Sequence, residues 1–240
     1  MAGKLRTLGV IPVRLTSTRV QEKALQVIAG RTLLEWVWRA AESVSDLDRL
    51  VVATDSTQVA QVVSDFGGDV EVTSGLFKNG SERCWAVASH SDAEIIVNIQ
   101  GDQPQLDPQA VSAIVRVLQQ GDVPVASPMV PLEGAEFGSS VVRVTTDDNG
   151  DALHFSRNDI VGEGPNYRHV GIYGYRRNTL KKYCSWPQTD LELSEGLEQL
   201  RLLEYGVDIR MVLLRNASIP VDTLEDLARV RGVLSGNQES

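Results

Sequence analysis

Through residues 1–120, short apolar runs alternate with stretches of helical spacing. Residues 8–13 (L-G-V-I-P-V), 49–54 (R-L-V-V-A-T), 70–72 and 95–99 read as strands, the last carrying Ile95, Ile96, Val97 and Ile99. Such β-branched runs are stiff at χ1 and suit strands buried on both faces. Between them, residues 32–43 place Leu33, Leu34, Trp36, Val37 and Ala40 on one helical face. Residues 58–65 read as a second helix stopped by Gly67-Gly68, and 81–89 as a third. This alternation predicts a doubly wound α/β domain with a mainly parallel sheet. Trp36 and Trp38 are expected to pack in its core.

A helix over 108–120 follows, and then the texture changes. Residues 124–130, 141–145, 152–156 and 170–175 read as strands, with turns at Asp147-Asp148-Asn149-Gly150 and at 162–165. They predict a smaller β-rich part of antiparallel or mixed strands, a kind of surface that often forms a dimer interface. Residues 191–205 read as one helix with Leu193, Leu197, Leu200 and Leu203 inward. A late strand at 209–214 and a helix over 223–234, capped by Asp222 or Thr223, complete the fold, and a disordered tail is expected from Ser235.

Composition narrows the partners. The 240 residues fit one large α/β domain, and a hydrophobic fraction of 42% leaves ample material for a core. A net charge of −9 argues against non-specific nucleic-acid binding. No run approaches the ~18 apolar residues of a membrane helix, so no membrane insertion is expected. The opening residues hold no long apolar signal core, and the expected location is the cytoplasm. Cys84 and Cys184 make no metal pattern and read as free thiols of a reducing compartment.

Two polar stretches carry candidate chemistry. After the first strand, residues 14–23 hold three basic residues, Arg14, Arg19 and Lys23, and three hydroxyls, Thr16, Ser17 and Thr18. That composition suits a phosphate cradle, although charge runs are commonly just solvated and the glycines of a Walker loop are missing. After the strand at 95–99 comes Gln100-Gly101-Asp102-Gln103-Pro104. Ligands of open α/β sheets lie beyond the carboxyl ends of strands, where a carboxylate such as Asp102 can hold Mg²⁺ beside a phosphate. By residue type alone, Asp102 could equally cap the helix opened by Asp107-Pro108 or make a turn.

Seven stretches together resemble the CMP-Kdo synthetases, the 3-deoxy-manno-octulosonate cytidylyltransferases. They are IPVRLTSTR (11–19), VATD (52–55), NGSER (79–83), VNIQGDQP (97–104), HVGIYGYR (169–176), LEQLRLLEYG (197–206) and VDTLEDLARV (221–230). The resemblance implies a Rossmann-like nucleotide-diphospho-sugar transferase fold in a single domain over 1–234. Residues 1–120 would form the nucleotide-binding half, and 121–222 the acceptor-binding and dimerisation part. It implies transfer of CMP from CTP to the anomeric hydroxyl of an acidic 2-keto sugar, with pyrophosphate leaving, in a homodimer that feeds lipopolysaccharide synthesis. Asp102 and Asp222 match the family's Mg²⁺ ligands. Arg14, Ser17, Arg19 and Lys23 fall on its CTP-phosphate loop, Lys23 also among the catalytic residues. Arg83, Gln100, His169, Tyr173, Glu198 and Gln199 fall around the sugar, with Arg83 placed to pair with its carboxylate. A lone His beside a strand is usually structural, and only the HVGIY context raises His169.

The departures cluster at the ligands. Where the family loop reads R-L-P-G-K-P-L, this chain has Arg19-Val20-Gln21-Glu22-Lys23-Ala24-Leu25, so Glu22 stands for a glycine. The family's Q-G-D-E-P becomes Gln100-Gly101-Asp102-Gln103-Pro104, and the segment 157–168 is shorter than usual. These changes keep two alternatives open: a different acidic acceptor, phosphonates or other sugar acids included, and a nucleotide-binding homologue without turnover.

Overall fold

The first half runs β1 (Thr7–Val13), a 3-10 turn (Lys23–Leu25), the hairpin β2 (Val27–Ile28) and β3 (Arg31–Thr32), and α1 (Leu33–Glu42). It continues with β4 (Arg49–Thr54), α2 (Thr57–Asp65), β5 (Val70–Val72), α3 (Gly80–Ala88), β6 (Ile95–Asn98) and α4 (Pro108–Gln120). The second half adds β7 (Val125–Pro131), β8 (Arg143–Thr146), β9 (Ala152–Ser156), β10 (Tyr167–His169) and β11 (Tyr173–Arg176). It ends with α5 (Arg177–Ser185), α6 (Asp190–Glu195), α7 (Leu200–Glu204), β12 (Ile209–Leu213) and α8 (Leu224–Gly236). This computed structural model describes residues 6–15, 20, 22–132, 141–158, 167–215 and 220–236.

The strands form one ten-stranded sheet in the order β5-β4-β1-β6-β11-β7-β10-β8-β9, with β12 paired to β7. The pairs β4·β5, β1·β4 and β1·β6 are parallel, and β11 enters antiparallel beside β6. The second-half strands thus extend the central sheet. Successive side chains of a strand face opposite layers. Leu8 and Val10 of β1 enter one core, with Cys84, Leu180 and Leu200 of α3, α5 and α7. Ile11 and Val13 enter the other, with Leu34, Val59, Ile114 and Leu227 of α1, α2, α4 and α8.

Local chemistry sets the ends of the helices. The side chains of Thr32, Asn79 and Asp107 accept the N–H groups of Glu35, Glu82 and Gln109. Asp107 therefore caps α4, and Asp102 is left for other work. At α8, Thr223 accepts the Asp226 N–H at 3.1 Å while the Asp226 carboxylate accepts the Thr223 N–H at 2.9 Å. This reciprocal cap leaves the Asp222 carboxylate outside it. The β2–β3 turn has positive φ at Ala29 (46°) and Gly30 (79°), the pattern of a tight two-residue hairpin turn.

Two expectations are corrected and one helix is added. Of the strand read over 170–175, only 173–175 are strand, within β11; the short strand β10 precedes it, and the chain breaks between them where the Ile172 N–H turns back to the Val170 carbonyl at 2.7 Å. The helix read over 191–205 is also two, because Gly196 adopts a left-handed conformation at φ 63° that ends α6. Helix α5, polar overall with Leu180 and Tyr183 its buried residues, escapes a pattern reading. The arginines before and at its start tie down opposite layers. Arg176 donates to the Leu118 carbonyl at 2.6 Å and to that of Gly121, closing α4. Arg177 donates to the Ala88 carbonyl at 2.8 Å, closing α3.

One topological feature places the site. From β1 the chain moves outward through β4 to β5, then returns to the other flank of β1 as β6. The loops after β1 and β6 therefore diverge around the crevice where strand order reverses, the usual ligand position in open α/β sheets.

Candidate active site at the strand ends

A cleft of about 90 Å³ opens at that crevice, lined by Val13, Arg14, Lys23, Gln100, Gly101 and Asp102 among others. Gly101 lets the β6 loop press close to the end of β1: a Cβ on it would lie 3.1 Å from Val13 Cγ2, which would have to give way. The Val221 N–H donates to the Asp102 carbonyl at 2.8 Å, bringing the loop before α8 onto the β6 loop. Two carboxylates some 120 residues apart thereby converge on one ammonium. Lys23 Nζ lies 2.9 Å from Asp102 Oδ2 and 3.4 Å from Asp222 Oδ1.

Arg14 stands exposed at the rim of this cleft. Ser17 and Arg19, the other two residues expected to bind phosphate, lie outside the described residues. Glu22 takes the left-handed conformation (φ 47°, ψ 42°) that a glycine would accept without cost, and its side chain is exposed. Gln103 is buried at 4% exposure.

Gln100 joins this cleft to a second polar cluster. It donates to Asn98 Oδ1 at 3.4 Å, Asn98 donates to Ser81 Oγ at 3.1 Å, and Ser81 donates to Glu198 Oε1 at 2.9 Å. All three donors point toward Glu198, from the end of β6 through α3 to the bend before α7. Loss of hydration pushes the Glu198 carboxyl up to about 7, with the Ser81 bond pulling the other way. Neighbouring Gln199 accepts from the Tyr173 hydroxyl at 3.0 Å. Its own Nε2 is buried and has no partner among the described residues, so it is a donor in want of an acceptor. His169 packs against Phe155 and Tyr173, its ring centroid 5.1 and 5.3 Å from theirs. Burial pushes it down to about 3, leaving a neutral ring.

The resemblance places Arg83 to pair with a sugar carboxylate; in the structure its guanidinium is 3% exposed. It donates to Asp55 at 2.6 Å and to Thr73 at 2.9 Å, and lies over the Phe77 ring. These contacts lock α3, and with it Ser81, to the ends of β4 and β5. Pattern reading missed Asn98, Ser81 and Ser127. Their one signal is a polar residue inside an apolar strand or at the first turn of a helix, which becomes telling only once burial is known.

Among the described residues no group of three or more His, Cys, Asp or Glu gathers to hold a metal. The donor set is two carboxylates. That suits Mg²⁺, which is commonly bound through one or two carboxylates with substrate phosphates and water completing its shell. Lys23 marks the same point as electrostatically favourable to a cation.

Comparison with known proteins agrees with this geometry. The profile of the Cytidylyltransferase family matches residues 8–209. A 3-deoxy-manno-octulosonate cytidylyltransferase of Glaesserella parasuis serovar 5 (strain SH0165) is 42% identical over 94% of this chain and 96% of its own. That of Koribacter versatilis (strain Ellin345) is 37% identical over 97% of this chain and 91% of its own. Among solved structures, CMP:2-keto-3-deoxy-manno-octonic acid synthetase complexed with CTP superposes with a TM-score of 0.92 at 33% identity, covering 97% and 99% of the two chains. A 4-diphosphocytidyl-2C-methyl-D-erythritolsynthase from Anaerococcus prevotii DSM 20548, 12% identical with a TM-score of 0.63 over 96% of each chain, shares the fold. With near-complete coverage by relatives well above 30% identity, this chain belongs to the 3-deoxy-manno-octulosonate cytidylyltransferase family.

Proposed function

We propose that this protein transfers CMP from CTP to the anomeric hydroxyl of 3-deoxy-manno-octulosonate (Kdo), releasing pyrophosphate, with Mg²⁺ as cofactor. The observation that carries the reading is the Lys23 ammonium seated between Asp102 and Asp222 at the switch-point cleft. Arg14 and Lys23 offset the triphosphate charge, Arg14 with a fork of donors and Lys23 as a point charge. Asp102 and Asp222 are the carboxylates that would hold Mg²⁺, which supplies charge neutralisation at the α-phosphate and a lower pKa for the hydroxyl beside it. The attacking oxygen forms a bond to the α-phosphorus, the bond to pyrophosphate breaks, and the hydroxyl proton goes to solvent or base. The chain's own part is in-line positioning. His169, Tyr173, Glu198, Gln199 and Gln100 supply donors and acceptors suited to a polyhydroxylated acceptor.

The geometry favours turnover over a non-catalytic homologue. Glu22 holds the left-handed turn of the loop with an exposed side chain, and both aspartates read as Mg²⁺ ligands are present. The same reading assigns the enzyme to the cytoplasm, as a source of activated sugar for lipopolysaccharide, and to a homodimer. Supporting the dimer, Leu153 on edge strand β9 and Leu193 on α6 are 63% and 61% exposed. The test is pyrophosphate release with purified protein, Mg²⁺ and Kdo, comparing CTP with UTP, ATP and GTP. Release with CTP, abolished by Asp102→Asn, is expected. Tight CTP binding with no release from a panel of acidic acceptors would establish the non-catalytic alternative.

A further inference from the structure

Ser127, on β7, is fully buried and lies beside His169. Its hydroxyl touches three groups: His169 Nε2 at 2.8 Å, the Ile172 carbonyl at 2.7 Å and the Val170 carbonyl at 3.4 Å. A serine hydroxyl has one hydrogen to give. Both carbonyls can only accept, so that hydrogen is committed to them, and the oxygen must accept from the ring. Nε2 therefore carries the proton of the neutral imidazole, and Nδ1 carries the lone pair.

The fold goes to some length to build this contact. The strand break at Val170–Ile172 turns both carbonyls onto Ser127, and β10 would otherwise run straight into β11. The ring itself is held between Phe155 and Tyr173, while the His169 N–H donates to the Val142 carbonyl at 2.8 Å.

We infer that Ser127 is a positioning residue for acceptor binding: it fixes His169 in the Nε2–H tautomer, so that Nδ1 receives a hydroxyl proton from the acceptor. The inference rests on the reading of His169 as an acceptor-site residue. It makes the imidazole a hydrogen-bond acceptor. Gln199, which accepts from the Tyr173 hydroxyl beside that ring, brings an unpartnered Nε2 donor to the same cluster.

The test combines a spectroscopic and a kinetic reading on the full-length protein. Two-bond ¹H–¹⁵N correlation spectra report which ring nitrogen of each of the three histidines is protonated, with His169 assigned through His90→Gln and His154→Gln. Wild type is expected to show a protonated Nε2 and a bare Nδ1 at His169. Ser127→Ala is expected to mix or invert the tautomer and to raise the KM for Kdo roughly 5–10-fold, the worth of one hydrogen bond, with a smaller change in kcat. Ser127→Thr, which keeps the hydroxyl, is expected to restore both and thereby separates a lost contact from a damaged core. The inference is overturned by a protonated Nδ1 in wild type, by an unchanged tautomer or KM in Ser127→Ala, or by a folded Ser127→Thr that behaves as Ser127→Ala does. Absence of Kdo turnover in wild type would instead remove the acceptor reading and with it the assigned role, while the spectrum independently reports the tautomer.

Discussion

Replacing Arg201 by methionine removes a charge from a place that water does not reach. Arg201 is fully buried and holds the α6–α7 bend together. Its Nε and Nη2 donate to the two oxygens of Glu192 at 2.7 and 2.6 Å, and Nη1 reaches Glu82 at 3.3 Å. The guanidinium also lies 4.3 Å from the Tyr183 ring centroid. Methionine fills much of the volume but leaves Glu192, itself 4% exposed, without its counter-charge. Breaking a buried pair from one side costs about 3–5 kcal/mol. In a protein of this size each kcal/mol moves Tm by roughly 2–4 °C, so Arg201→Met should lower Tm by roughly 6–20 °C at pH 7. The sign of the pH dependence follows from Glu192. Burial would raise its carboxyl, but the bonds from Arg201 and Gln188 outweigh burial and hold it below the ordinary range. A depressed carboxyl stabilises the fold above its unfolded pKa and loses that contribution as pH falls through the folded value. The gap between wild type and variant should therefore be widest near neutrality and narrow below about pH 4. Glu192→Gln added to Arg201→Met should recover about half of the loss, because it removes the stranded charge and keeps an oxygen for the α6 cap. Thermal or urea unfolding across pH reads all three. A loss under ~1 kcal/mol, the value of an exposed pair, or a gap that persists in acid would refute the reasoning.

Three further outcomes follow from the site. Glu22→Gly should relieve a left-handed conformation that costs a side-chain-bearing residue roughly 1–2 kcal/mol, partly offset by glycine's chain entropy. It should also lower the KM for CTP a few-fold at low salt, and a KM that rises or ignores ionic strength would contradict this. Glu198→Gln should flatten the pH profile of stability: with its carboxyl raised to about 7, the native state holds a proton that the unfolded chain has released. Wild-type stability should thus fall from about pH 4.3 to 7, by the order of 1–3 kcal/mol given partial exposure, and parallel profiles for the two proteins would refute it. Gly101→Ala puts a methyl 3.1 Å from Val13 Cγ2 and should displace Asp102, lowering kcat/KM at least tenfold for a stability loss of about 1–3 kcal/mol. Unchanged kinetics would show that the β6 loop tolerates the shift.

Much of the fold was legible because its signals are local. Helix α4 (Pro108–Gln120) and strand β9 (Ala152–Ser156) fall where apolar spacing and turn residues put them, and α1 is read to within its cap. Helix α5 escaped because Arg176 and Arg177 anchor it through carbonyls of α3 and α4, distant partners with no trace in periodicity. The long helix expected over 191–205 failed at Gly196, where pattern alone could not tell a glycine inside a helix from one that ends it.

The site divides the same way. Residue identity alone set the chemical types at the strand ends, the carboxylates Asp102 and Asp222, the base Lys23 and the polar run around Glu198, and through its motifs the family. A side chain's chemistry is a property of the residue, so it survives without coordinates. Which of these residues act together came from the fold. It joined Lys23 to two aspartates far apart in the chain, bound Arg83 to Asp55 so that it braces α3, and gave His169 a tautomer through a strand break at Ile172. Partnership depends on distance, on burial and on where a single hydroxyl hydrogen points, and the folded chain sets those by bringing remote loops to one edge of one sheet.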